Sequence, residues 1–448
     1  MKFTKFGKAL LLSALSAAAV LSVTSCVESY TVGFLYVTGT VTAQPGGNGV
    51  ISGFRIDHNT GRLVSIDGLP ISSGGANPVR ATLTTGSRFL YVLNQGVNSL
   101  GNADCNGTGA NECQNSNIEE FSVGGNGILT PQETFYTQGL NPFRLIVDGS
   151  GNYLYVLDHD SPSSAACALA LGGAPTSCGD ISAFQINQTT GRLSIVVNAQ
   201  VTAANGAPLP YFPVPANPID FNLASGFMLT FSGTPATGDV VFPYTYNVAN
   251  GQLTISQNSP QVLGISQGTA LGYGNGYIYV LDNEPITIAA GAAGSFPAGT
   301  YPSQILPFSV GAGGSLQALT GGAVPDDPTL SNPITLLVES KSKFLYIANQ
   351  GNNAQGANAT SGIAGYVIDP TTHQLTFIPG EPFGSGAAPQ CIVEDPSDQF
   401  IYSADYTDSM VTGRVVDPND GVLNNLRVTS SFPVPGPATW CLVDGRTS

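Results

Sequence analysis

Charge is scarce in this 448-residue chain. Only 10% of residues are Asp, Glu, Lys or Arg, and 29 acids outnumber 14 cations. Tryptophan occurs once, and methionine and histidine three times each. No helix-forming run of Ala, Leu, Glu and Lys lies beyond the first 25 residues, which sets helical architectures aside. There is no Gly-x-Ser-x-Gly elbow, no Walker loop, no His-Glu-x-x-His and no dinucleotide fingerprint, so the common hydrolase, NTPase and dehydrogenase scaffolds are excluded. One histidine near any candidate site is too little for a catalytic zinc, and no acidic run follows EF-hand spacing. No cofactor is expected on this evidence.

What the chain does have is glycine (55) and proline (31) in an all-β composition. It opens with Lys2, Lys5 and Lys8, an apolar run from Ala9 to about Val20, and Val23-Thr24-Ser25-Cys26. Residues 1–25 therefore read as a signal peptide with a bacterial lipobox, too short to span a bilayer. Cys26 is the expected lipidation site, and several acyl chains together give stable anchoring. The expected product is an exported, monomeric lipoprotein of the outer membrane or cell surface, attached to membrane only through its lipid. With the three leader lysines removed, eleven cations face all 29 acids, a formal charge of −18. Such a surface excludes nucleic acid and anionic lipid as partners. Six cysteines remain for an oxidising compartment. Cys105 with Cys113, and Cys167 with Cys178, each lie in one polar insertion and are expected to pair. Cys391 and Cys441 fall one residue out of phase on neighbouring strands, so two buried free thiols are expected ahead of a bridge across the seam.

A pattern of aromatic, aliphatic, Tyr recurs at Phe34-Leu35-Tyr36, Phe89-Leu90-Tyr91, Tyr153-Leu154-Tyr155, Tyr277-Ile278-Tyr279, Phe344-Leu345-Tyr346 and Phe400-Ile401-Tyr402. Phe227-Met228-Leu229 is a degraded copy. Each copy is followed by an Ile/Val-x-x-aromatic strand and then Gly-x-Leu, with Arg414 in the aromatic slot of the last unit and His373 in place of one glycine. Each unit is thus four short strands, and four-stranded sheets arranged radially cover each other's faces as a β-propeller does. The chain enters at the second strand of its first unit and ends with the missing one, Pro437 to Asp444. The expected fold is a seven-bladed β-propeller over 26–448, its ring closed by the C-terminal strand.

The Pro-led strand, Asp/Ser/Gly turn, Phe-Leu-Tyr-Val and Ile-x-x-Phe followed by Gly-x-Leu resemble the seven-bladed lactonase family, which includes 6-phosphogluconolactonase-like propellers. The resemblance implies inner-strand histidines two residues after the proline, facing the funnel. This chain holds Arg80, Arg144, Asp220, Thr335, Cys391 and Thr439 there instead. Arg80 and Arg144 in adjacent units suggest a clamp for a carboxylate, a phosphate or a lactone carbonyl; the alternative is pairing with Asp220 or Asp158. A second constellation ends the Tyr strands: Asp158, His159 and Asp160, Asp282 and Glu284, Asp405 and Asp408. His159 beside Asp158, or Asp220, could act as a general base. Asp158, Asp160, Asp282 and Glu284 could hold Ca²⁺, and solvated strand ends are the plainer reading. Two functions remain open. One is an envelope propeller binding a small acidic molecule, glycan or protein; the other is a hydrolase of an extracytoplasmic lactone.

Overall fold

A left-handed residue ahead of the inner strand sets the frame of five repeats. Asn77, Asn141, Asn217 and Asn332 adopt left-handed backbone (φ 52–59°) immediately before a proline, a conformation asparagine tolerates better than most residues. In the last unit Ala388 does the same at φ 58°. The chain thereby turns into an inner strand that carries a one-residue bulge near its start. The bulge falls between Pro78 and Arg80, Pro142 and Arg144, Pro218 and Asp220, Gly268 and Ala270, Pro333 and Thr335, and Pro389 and Cys391. Bulges twist a strand and re-aim its side chains.

The computed structural model describes residues 30–41, 48–101, 105, 109–171, 177–203, 205–234, 238–258, 260–289, 296–351 and 361–445. The leader and Cys26 lie outside these residues. From Thr31 onward the strands form seven antiparallel sheets of four or five strands, with small two-stranded ribbons in the insertions. The inner strands are Ala438–Asp444 (blade 1), Pro78–Leu83 (2), Leu140–Val147 (3), Pro218–Ala224 (4), Gly268–Gly274 (5), Pro333–Val338 (6) and Pro389–Glu394 (7). Ala438–Asp444 pairs with Thr31–Thr40, so the first blade is built from both ends of the described ring. The all-β, seven-bladed expectation holds. One exception to it is a short helix, Ser164–Leu171, in the insertion that carries Cys167.

The recurring motifs are the joints between blades. Between the third and fourth strands the side chain of Asp57 accepts the backbone N–H groups of Asn59 and Thr60, and the turn ends at Gly61 with φ 65°. Onto Gly61 lies the ring of Phe400 from blade 7; a Cβ there would come within 2.5 Å of that ring. Two residues further along the same strand, the Tyr402 hydroxyl donates to the Gly61 carbonyl at 2.7 Å. Tyr36 to Gly127 (2.8 Å), Tyr155 to Gly251 (3.0 Å) and Tyr346 to Gly421 (2.7 Å) repeat the bond, as does Tyr91 to Gly191. The variant repeats break it in opposite ways. Leu229 has no hydroxyl to offer blade 5. His373 takes the glycine's left-handed backbone (φ 57°), stacks on Tyr277 at 4.2 Å, and leaves the Tyr279 hydroxyl without a partner.

Cys105–Cys113 and Cys167–Cys178 are bridged as expected. Cys391 and Cys441 are also bridged, with 5.8 Å between Cα atoms, which corrects the expectation of free thiols. The reason is rotational. All blades point the same way round the ring, so equivalent positions face the same direction. Two short side chains therefore face each other across an interface when they sit one position apart in register. Cys391 pairs with Ala404 at the first position after the bulge, and Cys441 pairs with Val37 one position later. Being out of phase is therefore what brings them together.

Three outcomes follow for stability. Tyr346→Phe should cost about 1–3 kcal/mol by leaving a buried carbonyl unpaired. Gly421→Ala should cost more, because a strained φ of 79° adds to contact with the Phe344 ring. Denaturant titration of both variants orders them, and equal stability to wild type would contradict the joint. Replacing Cys391 and Cys441 by serine should lower stability by about 2–4 kcal/mol, read as a fall in Tm under oxidising conditions.

Candidate functional site

The inner strands begin at one face, and so do the loops between second and third strands, which carry the long insertions. That face holds a vestibule of about 400 Å³, bounded by Asn77, Gln95, Gln350, Gln390, Tyr406 and Thr439 together with Phe143 and the two arginines. A second cavity of about 240 Å³ continues along the strands toward their far ends. Arg80 and Arg144 line both. They form the neck of the channel.

The first register position after the bulge explains this. It is Trp440, Arg80, Arg144, Asp220, Ala270, Thr335 and Cys391 around the ring. Counting two residues past the proline placed Thr439 in that set; in blade 1 Ala438, not Pro437, takes the slot the proline holds in the other blades, so Trp440 stands in the ring and Thr439 lines the vestibule. The Arg80 guanidinium carbon lies 4.0 Å from the centre of the Trp440 ring, a cation–π arrangement. Its Nη1 donates to the carbonyl of Val79 (2.7 Å), and Arg144 Nη1 donates to that of Phe143 (3.3 Å). Among the described residues Arg80 has no carboxylate partner, whereas Arg144 Nε lies 3.3 Å from Asp220 Oδ1. The pairing alternative thus applies to one arginine and not the other. Burial depresses the pKa of both guanidiniums; for Arg80 the neighbouring Arg144 depresses it further, and for Arg144 Asp220 partly offsets the effect. Both remain charged. The neck is an under-compensated pair of cations, at 21% side-chain exposure for Arg144 and 16% for Asp220.

Asp220 is firmly held. Besides Arg144 it accepts the N–H of Phe221 (2.9 Å) and, across to blade 5, that of Leu271 (2.9 Å). Among the described residues it is the only carboxylate lining either cavity.

His159 lines neither cavity. Its Nδ1 sits 2.9 Å from Asp160, which also accepts from Asn141 (2.6 Å). Asp158 is fully buried and accepts from Ser182 (2.9 Å), beside Asp180 on the paired strand. The structure therefore does not assemble His159 with Asp158, nor His159 with the arginines. Asp282 is likewise buried, bonded to Gln304 (2.8 Å), and Asp405 accepts from Ser403 and Thr412. Glu284 accepts the Ser266 N–H (2.9 Å) and Asp408 that of Ala387 (2.7 Å). Solvated strand ends are thus wrong for Asp158, Asp282 and Asp405, which tie strands together inside the blades. Asp158 and Asp160 belong to blade 3, Asp282 and Glu284 to blade 5, and among the described residues no three metal-ligating side chains converge.

Gln95 and Gln350 were not singled out in the sequence, although each follows its Tyr strand in an identical Asn-Gln-Gly. Trp440 escaped because Pro437 stands one residue ahead of the slot the proline fills in the other blades.

The arrangement is that of a seven-bladed propeller with a cationic neck in its funnel. Residues 303–442 match the family model "Lactonase, 7-bladed beta-propeller". The fold is similar to that of a Pseudomonas aeruginosa periplasmic gluconolactonase (TM-score 0.61, 16% identity, 93% of this chain and 99% of that one). It is equally similar to a Bacteroides fragilis protein provisionally named a 6-phosphogluconolactonase (TM-score 0.61, 16% identity, 92% and 98%). No curated protein matches the sequence. The scaffold shares the seven-bladed fold of these proteins. Three disulfides accord with an oxidising compartment, and no helix among the described residues is long and apolar enough to cross a membrane.

Burial raises the pKa of Asp405 to about 7 and of Asp282 and Asp326 to about 6, and it pushes up the neighbouring Asp158 and Asp180. Between about pH 4 and 7 the folded state therefore holds more protons than the unfolded one. Stability falls as pH rises through that window and levels off above it. Tm should be higher at pH 5 than at pH 8; a rise from pH 5 to pH 8 would show these carboxyls ionised inside the fold.

Proposed function

We propose that this protein is a hydrolase of an extracytoplasmic lactone, acting at the neck of the funnel with Arg80 and Arg144 on the carbonyl oxygen. The observation that carries this is the neck itself: two adjacent cations, one without a carboxylate, set in a protein of formal charge −15. Water attacking the carbonyl would place negative charge on its oxygen, where the guanidiniums stabilise it. Asp220, the carboxylate on the wall, takes the proton from water and returns it to the ring oxygen as the C–O bond breaks. The product is a hydroxy acid, whose carboxylate the same arginines bind. The shared seven-bladed fold and the family match over 303–442 support the reading. His159, lying off both cavities, takes no part in it. The reading includes export and anchoring through Cys26, and no metal.

The hold on Asp220 by three donors favours a second reading, in which the funnel binds a small acidic molecule or glycan without turnover. The two part in one experiment. Proton release from a panel of sugar and simple lactones is followed in a pH-stat, using the domain that begins after Cys26. Turnover should fall about 10²–10³-fold on Arg80→Ala or Arg144→Ala. Turnover that survives both substitutions would displace the site. No turnover from folded protein would leave the binding reading.

A further inference from the structure

The second cavity has a character of its own. From the arginine neck its wall runs through Ile146, Ala270, Leu271, Ile334, Leu336 and Ile392, all on inner strands. Thr335 adds one hydroxyl at the level of the arginines; Asp220 and Asn222 are already engaged, Asn222 Nδ2 donating to the Leu271 carbonyl (3.2 Å) and Asp220 holding the donors described above. Along blade 5 the strand reads Gly-x-Gly at 272 and 274, and Leu336 fills the place a side chain at 272 would take; a Cβ there would lie 2.5 Å from it. Tyr273, partly exposed, marks the far end. A hydrated sugar ring finds little to bond with below the arginines. It fits the vestibule, where Gln95, Gln350, Gln390 and Asn77 present amides.

We infer that the funnel binds an amphiphile, its carboxylate or lactone head at Arg80 and Arg144 and a straight aliphatic chain in the channel lined by Ile146, Leu271, Leu336 and Ile392. The inference rests on reading the arginines as the site for the head group. It adds the substrate class: acids and lactones bearing a medium-length alkyl chain rather than bare sugar lactones. A cavity of about 150 Å³ holds benzene, so 240 Å³ accommodates a chain of roughly eight carbons.

Trp440, the single tryptophan of the chain, lies at the neck in contact with Arg80 and reports on it directly. The soluble domain is titrated with straight-chain carboxylates from acetate to decanoate, with gluconate and with the matching primary alkanols. Tryptophan fluorescence gives the Kd values, and calorimetry checks them. Kd should fall about threefold per added methylene, level off near octanoate, and be weaker by at least tenfold for each alkanol. Leu336→Ala should move the plateau to a longer chain, and Arg80→Ala/Arg144→Ala should erase the preference for carboxylate over alkanol. Gluconate and acetate binding through the arginines with no dependence on chain length would overturn the channel and keep the head site. Chain-length dependence with alkanols equal to carboxylates would overturn the head site, and the proposal with it. No binding by any ligand to folded protein would overturn both.

Discussion

A tyrosine hydroxyl of one blade donating to a glycine carbonyl of the next, under an aromatic ring laid on that same glycine, is the contact on which the ring depends. A four-stranded sheet has two faces to cover and no partner within its own repeat. The Tyr–Gly joint fixes how neighbouring sheets meet: the ring excludes water, the missing Cβ allows the approach, and the buried hydroxyl is paired at one position only. Repeated round the ring, it sets the angle between blades and so the width of the funnel. The two places where it fails, at Leu229 and at His373, flank blade 5 on either side. Blade 5 is also the blade whose inner strand contributes Gly272 and the exposed Tyr273 to the channel.

The same periodicity that builds the wall concentrates the chemistry. Because each inner strand bulges at its start, the next side chain in every blade comes to one level of the channel. Most of these are small, neutral or bridged. Only in blades 2, 3 and 4 are they charged, as Arg, Arg and Asp. The charge is lopsided: positive at blades 2 and 3, balanced by Asp220 on one side and by the Trp440 ring on the other. An anion entering from the vestibule meets the cations first, ahead of the apolar stretch. In a protein so short of positive charge, a neck built from two cations gives the funnel a polarity opposite to that of the surface around it.

The buried carboxyls play another part. Asp158, Asp282 and Asp405 end their strands inside the sheets, bonded to Ser182, Gln304, and Ser403 with Thr412. Burial raises their pKa values and so shifts the balance toward the neutral acid, which can donate as well as accept. They resemble a site in sequence because acids gather at strand ends. In space each serves its own blade.

The number of blades, the four strands of each and the closure by the last strand were legible in sequence, because they follow from motif spacing and from where the chain starts and stops. So were the insertions on the funnel face, two of the disulfides and the choice of Arg80, Arg144 and Asp220 as neighbours. Facing and level were not. Counting residues put Thr439 where Trp440 stands and turned Cys391 away from Cys441, since Pro437 lies one residue ahead of the usual proline slot and adjacent blades meet through opposite faces. The same blindness set His159 beside Asp158, although neighbouring strand residues point apart. Linear spacing determines which residues share a strand end. Only the closed ring decides which of them share a cavity, because that depends on twist, bulge and the rotation from one blade to the next.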